Sequence, residues 1–529
     1  MKLFNSNRAA HTRTGPTRRD LLAGGTALGF GMLGGGLLLP QMARAEPKRG
    51  GHAVFAIGNA STTDSFNPDV TLATFGGVAR VTFLDSLYEI NSTGEIVPVL
   101  VTDASVDDSA TEWRLTLKKD VTFHNGKTLT AEDVVNSINL HRAEGSKSPV
   151  KSLLVNLEDI SAEGDDIVVF KLSAPDVDWP STLAEYTLSI LPSKDGVADW
   201  QSGVGTGPYR LISFEPGVSA RFERYENDHR SDRGWFDSVE YIAVNDGAAR
   251  TNAIISGEVH VSSEIEPSLA MRLNNVPNVT VVSRTSPGFS LFDMQTALAP
   301  VDNVNVRRAL KYAIDRQEFV DKILYGYGTV ANDHPIAPTY QFHDPSLEQH
   351  SYDPDKAKFY LKEAGLDSLD LDLQVSTSAF TGAVDAALLY SETARAAGIN
   401  LKPVRVPADG YWATTWAKTP FFGSYWTGRP TEAHIISLAY GKGAAWNATS
   451  YANDRLDRLV TEAKGQRDEA KRRELYAEAQ RILSVDGPSV IPAFNNMIDA
   501  VSNEIGMPET NVTQASLDSR YAASRWWFV

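Results

Sequence analysis

The sequence predicts an α/β protein of two or three domains behind an export leader. Three observations lead there. Strand and helix signals alternate along the chain, the part after the leader is too long for one core, and the first 45 residues carry a three-part targeting signal.

The leader comes first. Arg18 and Arg19 stand directly before Asp20-Leu21-Leu22 and an apolar stretch that ends at Leu39. Gly24, Gly25, Gly29, Gly31, Gly34, Gly35 and Gly36 make that stretch only weakly hydrophobic. Ala43-Arg44-Ala45 closes it with a small-x-small peptidase site. A run of about 19 residues is just long enough to span a bilayer. The glycine load, the twin arginine and the cleavage site instead read as a twin-arginine signal peptide over residues 1–45. The mature chain is then expected to begin at Glu46 and to work as a soluble periplasmic protein. The chain has no cysteine, so thiol catalysis, disulfides and a lipid-modified terminal cysteine are excluded, and no direct membrane anchor is expected.

Charge narrows the partners. The formal net charge is −16, and the leader holds six basic residues against one acid, so the mature part is more acidic still. That balance opposes nucleic acid or anionic membrane as a primary partner.

Four stretches predict local structure. Trp113, Leu115 and Leu117 alternate with polar residues as in a half-buried strand, and Val121 with Phe123 reads as a second short strand. Asn125-Gly126 is a turn, and Thr130 to Asp133 caps a helix carrying Val134, Val135 and Ile138. Gly203 to Gly207 is a glycine turn feeding a strand at Tyr209. From Asn303 to Gly328, Val306, Leu310, Ala313 and Ile314 keep helical spacing; Asp315 with Glu318 then opens a second helix that Gly326 stops. Asp353-Pro354 starts a helix with Ala357, Tyr360, Leu361 and Ala364 on one face and Gly365 at its end.

Reactive motifs fail one by one. Gly126-Lys127-Thr128 lacks the phosphate-loop glycine, since Val121 stands in its place. Pro208 follows the Gly203–Gly207 turn into a strand, so no helix N-terminus awaits a pyrophosphate. Ser148-Pro149-Val150-Lys151 has the spacing of a serine–lysine enzyme without the companion Lys-Thr-Gly element. His334, His343 and His350 have no ligand spacing and read as solvated loop histidines. No catalytic residue, metal or cofactor is expected. Aromatics are concentrated instead: Tyr411, Trp412, Trp416, Phe421, Phe422, Tyr425, Trp426, Tyr440 and Trp446, interrupted by glycines and Pro430. Flat side chains with polar tips suit a cleft that buries a small polar ligand, although core packing claims several of them.

The stretch from Trp113 to Ile138 resembles the signature of the family 5 solute-binding proteins of ABC importers. Gly205-Thr206-Gly207-Pro208-Tyr209, Val306-Arg307-Arg308-Ala309-Leu310 and Tyr352-Asp353-Pro354-Asp355-Lys356-Ala357 resemble further blocks of that family, in family order. The resemblance implies an α/β, two-lobed periplasmic binding protein that closes like a clamshell, with an extra subdomain on the first lobe and a two-strand hinge. By motif order, lobe I would be residues 46–287 plus 494–529, with the subdomain at about 89–190, and lobe II residues 288–493. Pro287, Gly288 and Pro492 would mark the hinge.

In dipeptide binders of this family a Trp-x-Gly motif is followed by an acid for the peptide's ammonium. Here Trp426-Thr427-Gly428 is followed by Arg429. A cation there repels an ammonium and attracts a carboxylate or phosphate. Alternatively Glu432 neutralises it, or takes the acid's role if the loop is shifted. Trp426, Thr427, Gly428, Arg429, Glu432, Trp446, Asn447 and Phe66 are the expected ligand-binding residues. The function implied is capture of a peptide, peptide-like or opine-like solute by a monomer that delivers it to an ABC permease in the inner membrane. A secreted hydrolase with a large cleft, and a periplasmic chaperone or sensor partner on the same scaffold, are the alternatives.

Overall fold

In the computed structural model the described residues are 47–70, 74–407, 411–444, 446–509 and 513–529; Arg18, Arg19 and Ala45 lie outside them. Among these residues two large mixed sheets dominate, with a four-stranded antiparallel sheet beside them.

The first large sheet runs in the order Tyr209–Glu215, Ser219–Arg224, Ser238–Ala243, His52–Ile57, Val261–Ser262, Met497–Ser502, Val279–Arg284. His52–Ile57 lies parallel to both neighbours and is apolar at Phe55 and Ile57, as expected of a strand covered on both faces. Phe55, Phe83, Tyr209, Tyr241 and Trp526 pack its core. The glycine turn before Tyr209 has a steric cause. A Cβ on Gly205 would lie 2.0 Å from the Phe83 carbonyl oxygen, so two backbones meet there and only glycine fits.

The four-stranded sheet is ordered Val101–Val106, Glu112–Leu117, Ile167–Leu172, Leu157–Glu163. Trp113, Leu115 and Leu117 are buried, as their alternation predicts. The helix Ala131–Arg142 lies against it through Val134 and Ile138, and the Asp133 carboxylate accepts the Thr130 N–H at 2.9 Å to cap that helix. The strand expected at Val121–Phe123 does not form. Phe123 and Lys127 are joined across Gly126 (φ +84°), and the pairing ends at one bridge between Thr122 and Thr128, too short for a ladder. One apolar cluster runs through this part from Leu87 to Ile190.

The second large sheet is ordered Gly328–Val330, Ser489–Asn495, Phe289–Met294, Phe421–Trp426, Leu369–Val375, Ile399–Arg405. The helices Val304–Tyr312, Arg316–Lys322 and Pro354–Glu363 cover it where the sequence predicts them. Their caps are Asn303, Asp315 and Asp353, whose side chains accept backbone N–H groups at 2.9, 2.9 and 2.8 Å.

The chain passes between the large sheets twice, from Arg284 to Phe289 and from Asn495 to Met497. The crossings are tied together. The Ser286 hydroxyl donates to the Asn495 carbonyl at 2.8 Å, and the Asn495 N–H donates to the Gly288 carbonyl at 2.8 Å. Pro287 and Gly288 therefore lie on a crossing, whereas Pro492 sits inside the strand Ser489–Asn495. The register of that strand shifts against Phe289–Met294 between Ser290 and Phe292, and such a bulge accommodates a residue with no N–H to donate.

Candidate functional site

A cavity of about 910 Å³ opens between the two parts of the molecule. From the second sheet come Tyr425, Trp426, Thr427, Gly428 and Arg429, at the end of the strand Phe421–Trp426 and just beyond it. From the other side come Asn59, Glu185, Tyr186 and Glu264, joined by Gln514, Ser519, Arg520 and Tyr521 of the carboxyl-terminal segment. The two sides also meet away from the hinge. Lys464 pairs with Asp176 at 2.9 Å, Arg472 pairs with Asp178, and the Thr182 hydroxyl lies 3.2 Å from His434 Nε2.

Arg429 is half-buried in this cavity. Its Nη1 donates to Thr427 Oγ1 at 2.7 Å and to the Gly428 carbonyl at 3.0 Å. Its guanidinium stands 5.5 Å from the Trp426 ring centroid and 5.9 Å from that of Trp446. Trp426 and Trp446 meet edge to face at 6.0 Å, forming an aromatic wall. Among the described residues no carboxylate lies within ion-pair distance of Arg429. Burial lowers its pKa from the ordinary value, with Glu185 opposing and Arg520 adding to the shift.

Glu432 does not neutralise it. That carboxylate points into the second lobe and accepts the Phe342 N–H at 2.7 Å, and burial raises its pKa. It lies in the first turn of the helix Glu432–Tyr440, whose cap is Thr431, so the helix start takes it away from the cavity. Two other expected ligand residues are also placed elsewhere. The Phe66 ring packs against Phe83 and Phe214, with centroids 4.9 and 4.4 Å away, in the core of the first sheet. Asn447 uses its amide on the Gly441 and Tyr451 carbonyls, at 3.0 and 2.7 Å, bracing its own loop. Of the aromatic run, Tyr411, Phe421, Phe422 and Tyr440 are core, while Tyr425, Trp426 and Trp446 reach the cavity.

The rejected motifs are accounted for by packing. Lys127 is paired with Asp133, and the Lys151 amine donates to the Ala143 carbonyl at 3.1 Å rather than to Ser148. His334 and His350 are buried rather than solvated, because His350 bonds Asp333 at 2.8 Å and His334 packs at 6.0 Å from His343.

Sequence reasoning missed Glu185, Tyr186, Glu264 and the whole contribution of residues 514–521. The missing signal is clearest at Leu517–Arg520. These four residues have φ of +58°, +54°, +57° and +79°, a left-handed turn written without a single glycine or asparagine.

Two α/β lobes joined by paired strand crossings around a cleft are the architecture of a two-domain periplasmic binding protein. The chain belongs to the bacterial extracellular solute-binding proteins, family 5, whose middle-region model matches residues 95–448. It is 24% identical over 515 residues to the dipeptide-binding protein of Escherichia coli K12, covering 90% of this chain and 95% of that one. It is 24% identical over 497 residues to the glutathione-binding protein GsiB of Pectobacterium atrosepticum, covering 87% of this chain and 92% of the other. Among solved structures, AgaA of A. tumefaciens R10 in complex with agropinic acid superposes with a TM-score of 0.76 at 20% identity, over 90% of this chain and 99% of that one. Members of this family are binding proteins that serve ABC importers and not enzymes, so the hydrolase alternative falls.

Proposed function

We propose that this chain captures a peptide-like or opine-like solute in the cavity beside Arg429 and carries it through the periplasm to an ABC permease. The observation that carries the reading is a cavity of about 910 Å³ with a guanidinium on an aromatic wall and no carboxylate paired to it among the described residues. A desolvated cation is costly unless something anionic or strongly polar meets it, and the ligand supplies that group. Lobe I is residues 46–287 with the tail from about 496, and lobe II lies between. Closure turns on residues 285–288 and 495–497, where backbone torsions alone have to change. Contacts made by both lobes then favour the closed state, which the permease recognises. The twin-arginine leader delivers the protein already folded, and it acts as a monomer free of the membrane.

Small-angle scattering of the mature protein tests closure. Adding the solute that co-purifies from the native periplasm should reduce the radius of gyration, and the solute should be recovered intact. An unchanged radius, or a chemically altered solute, would sink the reading.

A further inference from the structure

A second guanidinium shares the cavity. Arg520 lines it from the carboxyl-terminal segment, stacked 4.2 Å from the Tyr186 ring centroid and passing over the backbone of Gly77. Its Nε is buried without a hydrogen-bond partner, and among the described residues its guanidinium has no ion pair. Glu185, next to Tyr186, lines the same space, but its carboxylate accepts from the Thr187 hydroxyl at 3.3 Å. Gln514 meets Gly428, where a Cβ would lie only 2.4 Å from Gln514 Oε1, so the segment carrying Arg520 abuts the turn carrying Arg429.

The backbone that presents Arg520 is strained. Left-handed helical torsions cost L-residues about 1–2 kcal/mol each and occur routinely only as single residues. Here four run together, and the surroundings hold them. The Leu517 N–H donates to Asp499 at 2.8 Å, the Ser519 N–H to Thr513 Oγ1 at 2.9 Å, and Asp518 pairs with Arg525 at 3.2 Å. Strain kept at this price in stability marks a place where side-chain direction matters more than local comfort. The side chains it aims at the cavity are Ser519 and Arg520.

We infer that the cavity is built for a peptide-like solute with two carboxylates, one met by Arg429 from the second lobe and one by Arg520 from the first, and that the left-handed turn exists to aim Arg520. Two guanidiniums face one space, Glu185 acts on Arg429 only at longer range, and neither arginine has an ion pair among the described residues, which leaves that role to the ligand. Glu264 provides the complementary end. Its carboxylate accepts from Asn59 and Thr74 at 2.9 and 2.8 Å and has no salt bridge among the described residues, the Arg250 guanidinium donating instead to the Glu264 main-chain carbonyl at 3.0 Å, so it is placed to receive an amino group. Because the arginines come from opposite lobes, the same contact that selects the solute also favours closure.

The inference rests on the solute-capture reading and is tested by calorimetry on the full mature protein with three probes: glutathione, its diethyl ester and alanyl-alanine. Glutathione should bind, and the diester about tenfold more weakly or worse, because it retains the amine and shape but not the carboxylates. Arg520→Gly should bind glutathione about tenfold more weakly or worse, yet melt higher without ligand, because glycine adopts positive φ without strain. Arg520→Gln, which keeps the backbone preference and loses the charge, should weaken glutathione to a similar extent. Equal binding of ester and acid, unchanged affinity in Arg520→Gln, or an unliganded Arg520→Gly that melts no higher would each overturn the inference. Alanyl-alanine bound in preference to glutathione would overturn the dicarboxylate class while leaving solute capture standing. Failure of all three probes on the wild-type protein would count against both.

Discussion

Replacing Asp293 by asparagine should stabilise the protein, and by an amount that grows with pH. Asp293 sits in the middle of the second sheet, in the strand Phe289–Met294, and is 3% exposed. Among the described residues its carboxylate accepts one hydrogen bond, from Ser489 Oγ at 2.5 Å, and Ser489 is in turn 3.2 Å from the Tyr440 hydroxyl. Burial pushes its pKa from 3.8 to about 7, and the Ser489 bond only partly opposes this. Between roughly pH 4 and pH 7 the native state therefore keeps a proton that the unfolded chain has released. Stability falls as pH rises through that window and levels off above it. At about 1.4 kcal/mol per unit, the fall by pH 8 is of order 4 kcal/mol.

Asparagine is neutral at every pH and retains an acceptor for Ser489, so it removes the charge and little else. Other buried groups also titrate. Lys311, lowered to about 7 by burial, adds stability as pH rises above 7; His334 and His434, both lowered to about 3, add stability as pH rises from about 3 to 6.5. They contribute equally to both proteins and cancel in the difference. Denaturant unfolding of the ligand-free proteins from pH 4 to pH 8 should show near-equal stability at pH 4 and a gap of a few kcal/mol in favour of Asp293→Asn at pH 8. A gap independent of pH, or one that favours aspartate at pH 8, would refute the argument.

Two further outcomes follow from the site and the leader. Arg429→Ala should leave unliganded stability within about 1–2 kcal/mol, since it loses only turn hydrogen bonds and half-exposed aromatic contacts. Its affinity for the co-purifying solute, read by calorimetry, should fall by about 2–5 kcal/mol, as for a truncated charge pair; unchanged affinity would make the arginine scaffold. Replacing Arg18 and Arg19 by lysine should leave precursor in the cytoplasm, visible by fractionation and blotting. Normal maturation of that variant would assign the leader to the general secretory route.

Elements with short-range causes were legible in the sequence. The helices capped by Asn303, Asp315 and Asp353 follow from side-chain caps within two or three residues of the groups they satisfy, and the strand at Glu112–Leu117 follows from strict alternation. Errors arose where a local rule met a distant partner. Pro492 is expected to mark the hinge, but a bulge against Phe289–Met294 lets it stay in the sheet. His334 and His350 read as solvated, but Asp333, Arg316 and their surroundings build a buried polar cluster around them. Phe66 stands among the expected ligand-binding residues, but Phe83 and Phe214 claim its ring.

The cavity divides along the same line. Arg429 was legible because it directly follows Trp426-Thr427-Gly428, where the resemblance to dipeptide binders of the family implies an acid. Arg520 was not, because its place depends on backbone torsions that its neighbours disfavour. Leu517, Asp518 and Ser519 carry no glycine to announce positive φ; the turn is held by Asp499 from the strand Met497–Ser502 and by its near neighbours Thr513 and Arg525. A binding site that closes between lobes is assembled from segments far apart in sequence, and each lobe is free to encode its half in a different way. One half is a motif beside a strand end, readable in one pass. The other is a strained turn held by short-range hydrogen bonds and by Asp499 from a distant strand, written in residues that do not favour positive φ, and for that reason it is not announced by composition.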